Sequence, residues 1–367
     1  MMREVRVLEI ITTPMRRDGL TLAPLRLAGR MARVRCDFAA SFVADDGIRD
    51  AVEGAGGKLF VALSRLRRPV RYVRFLARLI RENGYAIVHA HGNSCTLAID
   101  LLAAKLGGAR VRIAHSHNSA CRYRLLHWLL RPLFDHLYTH AMACGTEAGR
   151  WLFPNRPFEI VRNPVDSRAF AFDPAARESV RAELGLGGEM AFGCVAGFVP
   201  AKNHAFLLDA FARALKRRPD CRLVLVGDGP LRAEIEAQVE SLGIAGRVRF
   251  TGVRADVPRL LQGMDAMLLP SQFEGFPLVA LEWQCAGLPA WLSSAVTRDC
   301  ALTEGVRFLP LEPDRWADAI VQAKPIDRAA ASAAGIRAVK EAGYDLEDAA
   351  RSLEARYLEL ADGGTHM

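Results

Sequence analysis

No run of apolar residues in the chain approaches the ~18 that a membrane-spanning helix needs. The apolar stretch at residues 5–11 is too short for a secretory signal and has Glu9 inside it, so a cytosolic protein is expected. No two cysteines form a C-x-x-C pair. The eight are scattered at 36, 95, 121, 144, 194, 221, 285 and 300, as reduced and mostly buried thiols would be. RNA-recognition, KH, zinc-finger and helix-turn-helix signatures are missing, which argues against a nucleic-acid partner. Internal repeats and low-complexity segments are missing too, and with them solenoid and fibrous architectures.

What is present is a globular composition, 51% hydrophobic and 25% charged over 367 residues, enough for two domains with a core each. The net charge of +8 is uneven: residues 1–168 hold 27 Lys/Arg against 14 Asp/Glu, the remainder 22 against 27. A basic first half suits an acidic partner, such as a lipid-linked pyrophosphate acceptor at an anionic membrane surface. Two of its segments are both basic and apolar. Residues 65–81 interleave seven arginines with Val73, Phe75, Leu76, Leu79 and Ile80, and Arg71, Arg74, Arg78 and Arg81 share one helical face. Residues 121–138 set Trp128, Leu129, Leu130 and Phe134 beside Arg122, Arg124 and Arg131. The first reads as a surface helix, with peripheral contact to the inner face of a membrane as the second reading; the second suits an acceptor or a membrane face.

Short apolar runs followed by glycine-bearing polar loops recur along the chain and predict parallel strands alternating with helices. The first strand leads into a loop holding Arg16, Arg17, Asp18 and Gly19, where doubly wound sheets bind ligands. Two later strands end in His89-Ala90-His91-Gly92-Asn93 and His115-Ser116-His117-Asn118, and a spacing of two puts each histidine pair on one face. These residues are expected to line a cleft at the carboxyl ends of the strands, although each histidine alone reads equally as a satisfied core residue. A zinc site is set aside because no cysteine or glutamate stands nearby at ligand spacing.

The second half opens on a strand near 190–196, followed by Gly197 and by Lys202 at a helix start. Its clearest chemistry is residues 274–289, E-G-F-P-L-V-A-L-E-W-Q-C-A-G-L-P. The loop Glu274-Gly275-Phe276-Pro277 lies between a buried strand and a helix start, where unpaired amides and the helix dipole attract phosphate. Glu274 and Glu282 frame this seat with seven residues between them. A carboxylate in so apolar a helix calls for a partner, and a ribose diol would donate to both oxygens; the alternative is that both glutamates face solvent.

This stretch resembles the E-(seven residues)-E signature of the retaining glycosyltransferases of family 4, whose GT-B fold is α/β, two doubly wound Rossmann-like domains facing across a cleft. The resemblance is close over residues 190–310, including G-D-G-P at 227–230 and T-G-V at 251–253. It is patchy before that, where V-H-A-H-G and R-I-A-H-S-H-N look like segments of bacterial exopolysaccharide members and N-P-V-D at 163–166 like the turn closing the first domain. It implies an acceptor-side domain over 1–168 with a closing helix at 345–362, and a donor-binding domain over 169–344.

The implied reaction moves a sugar from a nucleotide-sugar, a UDP-sugar being favoured, to an acceptor hydroxyl in polysaccharide or glycolipid synthesis. By position the resemblance puts Glu274 near the transferred sugar, Glu282 on the ribose and Lys202 on the diphosphate, with Gly19 and the segment Gly275, Phe276, Pro277 and Leu278 also on the donor. It points the backbone of Val253 and Arg254 at the base and His115 at the sugar, with His117 as second choice. His91, Asn93, His117 and Asn118 fall on the acceptor side. No cofactor or divalent metal is implied, and the chain has no Asp-x-Asp triplet. The family pattern G-R-x-x-x-x-K is broken, because Gly197 stands at the arginine position. Arg162, Arg16 or Arg17 are candidates to supply that charge; without a substitute donor binding is weakened or altered, and the alternative reading is a non-catalytic scaffold or regulatory partner of the same fold.

Overall fold

The computed structural model describes residues 4–16, 19–44 and 46–363. Two compact units account for the chain: Met1–Pro164 together with Gly343–Met367, and Val165–Ala342. Arg17 and Asp18 lie outside the described residues.

The N-terminal unit is built on seven strands, β1 (Val5–Ile11), β2 (Val34–Ala40), β3 (Leu59–Val61), β4 (Ile87–Gly92), β5 (Val111–Ser116), β6 (His140–Ala143) and β7 (Glu159–Ile160). All pair in parallel, in the order β3-β2-β1-β4-β5-β6-β7. Parallel strands are covered on both faces, which is why these read as near-continuous apolar runs. Side chains of β1 alternate between two cores: Leu8 and Ile10 join one, Val7 and Ile11 the other. The second core is completed by the C-terminal helix Leu346–Ala361, which contributes Leu346, Ala350, Leu353, Tyr357 and Leu360.

The strand period and register place the histidines. Glu9 pairs in register with His89, and His91 with His115, so these side chains share the face that the C-terminal helix covers. His89, His91 and His115 are therefore buried, which corrects the expectation that they line a cleft and follows the core alternative.

The reading of residues 65–81 as one surface helix also needs correction. The helix is Pro69–Asn83, opened by a proline whose missing N–H costs nothing in the first turn, and Arg65 precedes it. Arg65 points inward and forms an ion pair with the fully buried Asp100, donating also to Thr96 Oγ1 at 2.8 Å.

The C-terminal unit repeats the plan with β8 (Met190–Val195), β9 (Cys221–Val226), β10 (Val248–Gly252), β11 (Ala266–Leu269), β12 (Ala290–Ser293) and β13 (Val306–Leu309), in the parallel order β10-β9-β8-β11-β12-β13. Helix Leu278–Cys285 packs against helix Arg328–Glu341 so closely that a Cβ on Gly335 would stand 1.9 Å from Gln284 O. Buried Arg328 donates to the carbonyls of Ala286 and Met264, capping the end of the first of these helices before Gly287 turns the chain at φ 67°. In each unit the strand order reverses beside the first strand, between β1 and β4 and between β8 and β11, and open α/β sheets bind ligands at such a switch point. Among the described residues no helix is long and apolar enough to cross a membrane.

Candidate functional site

The loops leaving β8 and β11 meet at the switch point of the C-terminal sheet. After β8 the chain runs through 196–199 into a short 3-10 turn, Pro200–Lys202, and Asn203 takes the left-handed conformation (φ 57°) to start helix His204–Leu215. After β11 it runs through Ser271 and Glu274 to helix Leu278–Cys285, with Pro277 in the capping position. Gln272 N donates to Ala201 O at 2.8 Å and ties the two loops together. Lys202 Nζ and Glu274 Oε1 then form a direct ion pair, and the same carboxylate oxygen accepts from Ser271 Oγ at 2.8 Å. Two residues given separate roles by their sequence positions are thus in contact.

The glycines of Gly227-Asp228-Gly229 act on this loop through space. Gly227 has φ 137° and a Cβ there would stand 2.1 Å from Ala196 O, while one on Gly229 would stand 2.6 Å from Phe198 O. Hydrogen bonds from Phe198 N to Asp228 O (2.9 Å) and from Leu231 N to Phe198 O (3.1 Å) complete the clamp. Only glycines permit this approach, so the turn holds the Lys202 loop in place.

Gly197 is different. A Cβ there would meet Asp228 O at 3.8 Å and nothing closer, so packing does not enforce the missing arginine. Arg162 and Arg16, the described candidates to replace it, belong to the N-terminal unit. Arg162 lies over the Tyr344 ring with 5.4 Å to its centre, and Arg16 N donates to Thr21 Oγ1 at 3.3 Å. Within the C-terminal unit Arg232 lies over the rings of Phe198 and Phe250 but is paired with Glu236 at 2.5 Å.

Val253 is exposed just after β10, and the Arg254 side chain is committed to Asp256 (2.7 Å) and Glu183 (3.0 Å). Only backbone groups of this pair remain suited to a base. Glu282 is half-buried in the first turn and a half of its helix, and Phe276 is half-buried beside exposed Gly275.

Buried His204 follows Lys202, and burial together with the lysine charge pulls its pKa down to about 4. An unfolded chain protonates this histidine near 6.5, whereas the folded unit does not until about 4. Stability from this residue is thus fully present above pH 6.5 and falls with pH, by ~1.4 kcal/mol per unit, until about 4. Urea titrations at pH 7 and pH 5 should show a smaller loss in His204→Gln than in the original chain.

In the N-terminal unit, the side chains of Glu9, His89, His91, His115, His117 and Tyr357 form one connected cluster. His91 Nε2 meets Glu9 Oε2 at 2.5 Å, and His91 Nδ1 meets His117 Nε2 at 2.8 Å. His89 Nδ1 meets Tyr357 OH at 2.6 Å, and His89 Nε2 meets His115 Nδ1 at 3.0 Å. The phenol donates to Glu9 Oε1 at 2.8 Å. Burial, with the neighbouring rings adding to it, holds His89, His115 and His117 well below the usual histidine range. Sequence reasoning missed Glu9 and Tyr357, although the alternation of β1 already put Glu9 on the histidine face. Asn93 donates through Nδ2 to Ala120 O, and exposed Asn118 accepts from Ser119 N at 2.8 Å. Gly19 begins helix Gly19–Ala28.

Comparison with known proteins bears on this geometry. The profile described as Glycosyltransferase Family 4 matches residues 25–168, and that described as Glycosyl transferases group 1 matches 189–323. The glycosyltransferase EpsF of Bacillus subtilis (strain 168) is 33% identical over 342 residues, covering 88% of each chain. The chain belongs to glycosyltransferase family 4. An Escherichia coli UDP-Gal:alpha-D-GlcNAc-diphosphoundecaprenol alpha-1,3-galactosyltransferase is 28% identical over 244 residues, 61% of this chain and 62% of that one. Anabaena HepE, solved in complex with UDP, has the same fold, with a TM-score of 0.79 at 20% identity over 97% of this chain and all of its own. As a family 4 member the chain is an enzyme, a hexosyl-type glycosyltransferase of GT-B fold in polysaccharide or glycolipid synthesis, and the non-catalytic reading is set aside.

Proposed function

We propose that the enzyme transfers a hexosyl residue from a UDP-sugar to a hydroxyl of a lipid-linked glycan, with retention of anomeric configuration. The carrying observation is the Lys202–Glu274 ion pair at the switch point of the C-terminal sheet, beside the helix that bears Glu282. The UDP moiety is supported by its presence in HepE and by the UDP-galactose named for the Escherichia coli relative, whose acceptor is a diphosphoundecaprenol-linked sugar.

In this reading the donor diphosphate takes over Lys202, and Glu274 is released toward the sugar. Glu282 accepts from the ribose hydroxyls, and the backbone at Val253 and Arg254 faces the base. The bond from the anomeric carbon to the diphosphate oxygen breaks while the acceptor oxygen bonds on the same face. The acceptor proton passes to the departing diphosphate, so no protein nucleophile is required. Charge stabilisation by Lys202 and the helix start does the main work. No divalent metal takes part in transfer. Incubation with UDP-, GDP- and ADP-sugars and a lipid-linked acceptor tests this: a product of retained configuration from a UDP-sugar is expected, and turnover with GDP- or ADP-sugars alone would refute the donor assignment.

Because Gly197 has space for a side chain, Gly197→Arg should restore a charge to the diphosphate and raise kcat/KM by about tenfold, the scale of one charge-assisted contact. Unchanged or lower kcat/KM would show that the site has no deficit there.

Membrane contact is supported by helix Arg124–Asp135, which is apolar on two sides. His127 and Phe134 face inward, while Leu125, Trp128, Leu129 and Leu133 are exposed at 75%, 56%, 67% and 42%. Exposed Arg122 and Arg124 sit beside that face. Such a surface fits an anionic bilayer. Vesicles containing anionic lipid should pull down the protein, and Trp128→Ser with Leu129→Ser should weaken binding about tenfold; equal sedimentation of the variant would contradict the assignment.

A further inference from the structure

The histidine cluster has a proton arrangement that its distances dictate. Among the described residues the ion-pair partners of Glu9 are His89 and His91, and its carboxylate can only accept. His91 therefore carries its proton on Nε2, which leaves Nδ1 to accept from His117 Nε2–H. Tyr357 donates to Glu9 Oε1, so its oxygen accepts from His89 Nδ1–H, and His89 Nε2 accepts from His115 Nδ1–H. Two chains of hydrogen bonds thus run outward from one carboxylate. They end in two bare ring nitrogens, His115 Nε2 and His117 Nδ1, both buried and without a partner. Buried acceptors are normally satisfied, and two together in one network call for a ligand. The same residues, with Glu9 and Tyr357, line a cavity of about 10 Å³. A cavity of this size holds about one water or one ion.

We propose that His89, His91 and His115 bind one divalent transition-metal ion of the zinc class. One ligand atom from each of the three lies within 4.8 Å of the others. A tetrahedral ion with metal–nitrogen bonds of about 2.0–2.1 Å needs roughly 3.3 Å between them, so the rings close in by up to about 1.5 Å. An all-imidazole donor set favours zinc, copper or nickel over magnesium or calcium.

Metal-binding histidines typically donate their second N–H to a carboxylate, carbonyl or water. Glu9 does this for His91 here, and Tyr357, itself bound to Glu9, accepts from His89. These outer contacts hold the His89 Nε2 and His91 Nδ1 lone pairs toward the other two rings. His115 binds through Nε2, already bare, or through Nδ1 once its proton has moved to the other nitrogen. The ion's charge offsets the buried Glu9 carboxylate, and a water or His117 takes the remaining position. No cysteine is needed, which is why spacing rules for zinc motifs did not find the cluster.

The full chain, stripped with a chelator, is titrated with Zn²⁺ by calorimetry and with Co²⁺ by visible absorption, at neutral pH. One equivalent binding at micromolar Kd or tighter is expected, with a rise in Tm and Co²⁺ bands free of thiolate charge transfer. His89→Gln and His91→Gln should each weaken binding at least tenfold, and Glu9→Gln, which keeps size and shape, about tenfold or more if the histidine variants fail to fold. The proposal is overturned by no saturable binding, by affinity unchanged in all three variants, or by a thiolate band. Sugar transfer is not the readout, so loss of this site and loss of the proposed reaction are distinguishable.

Discussion

Arg65→Ala is expected to lower the stability of the N-terminal unit by about 3–5 kcal/mol, the cost of leaving a buried charge unpaired. Asp100 is fully buried, and its two described side-chain partners are Arg65 and Tyr72 OH, the latter at 2.6 Å. Arg65 is 12% exposed in its side chain, so solvent screens the pair little. Removing the guanidinium leaves a carboxylate with one neutral donor in a low-dielectric pocket. A drop in the melting transition on the order of 10 °C follows for a unit of this size. Adding Asp100→Asn should recover much of the loss, because the charge disappears while Tyr72 keeps a partner. Calorimetry of the two variants checks this, and an Arg65→Ala protein as stable as the original would contradict it.

Lys202→Ala should reduce kcat/KM for the donor by about 10²–10³, the scale of losing one preorganised donor to a developing negative charge. The effect exceeds loss of a contact because Glu274 touches Lys202 in the present structure. Without the lysine, the carboxylate faces an arriving diphosphate with Ser271 as its described hydrogen-bond donor. Two like charges at about 4 Å repel by several kcal/mol at intermediate dielectric, before screening. Glu274→Gln in the Lys202→Ala background should therefore bind UDP about tenfold more tightly than Lys202→Ala alone. In the original background the same change removes a group proposed to contact the sugar, and turnover should fall. Equal UDP affinities for the single and double variants would remove the repulsion argument.

Both sheets were legible in the sequence because buried parallel strands leave continuous apolar runs, and the glycine-punctuated loops after them mark the carboxyl ends. The motif from Glu274 to Glu282 was legible for the same reason: a loop and a helix start carry their chemistry locally. Long-range pairings were not. Arg65 belongs to Asp100, thirty-five residues away, and its place among the helix arginines concealed that. Glu9 and Tyr357 lie 348 residues apart, so no spacing rule could join them to the histidines. Strand alternation did predict that each pair shares a face. What it could not show was that the C-terminal helix closes over that face and buries the histidines as one cluster. Gly227 and Gly229 stand in the sequence only as part of G-D-G-P; the 2.1 Å and 2.6 Å approaches show that they hold the Lys202 loop.

The central claim is a nucleotide seat in the C-terminal unit formed by Lys202, Glu274 and Glu282. Calorimetric titration of the full chain with UDP tests it most directly. The account predicts one site, weakened at least tenfold by Lys202→Ala and by Glu282→Ala in proteins that melt like the original. Absence of UDP binding, or affinity unchanged in both variants, would contradict it.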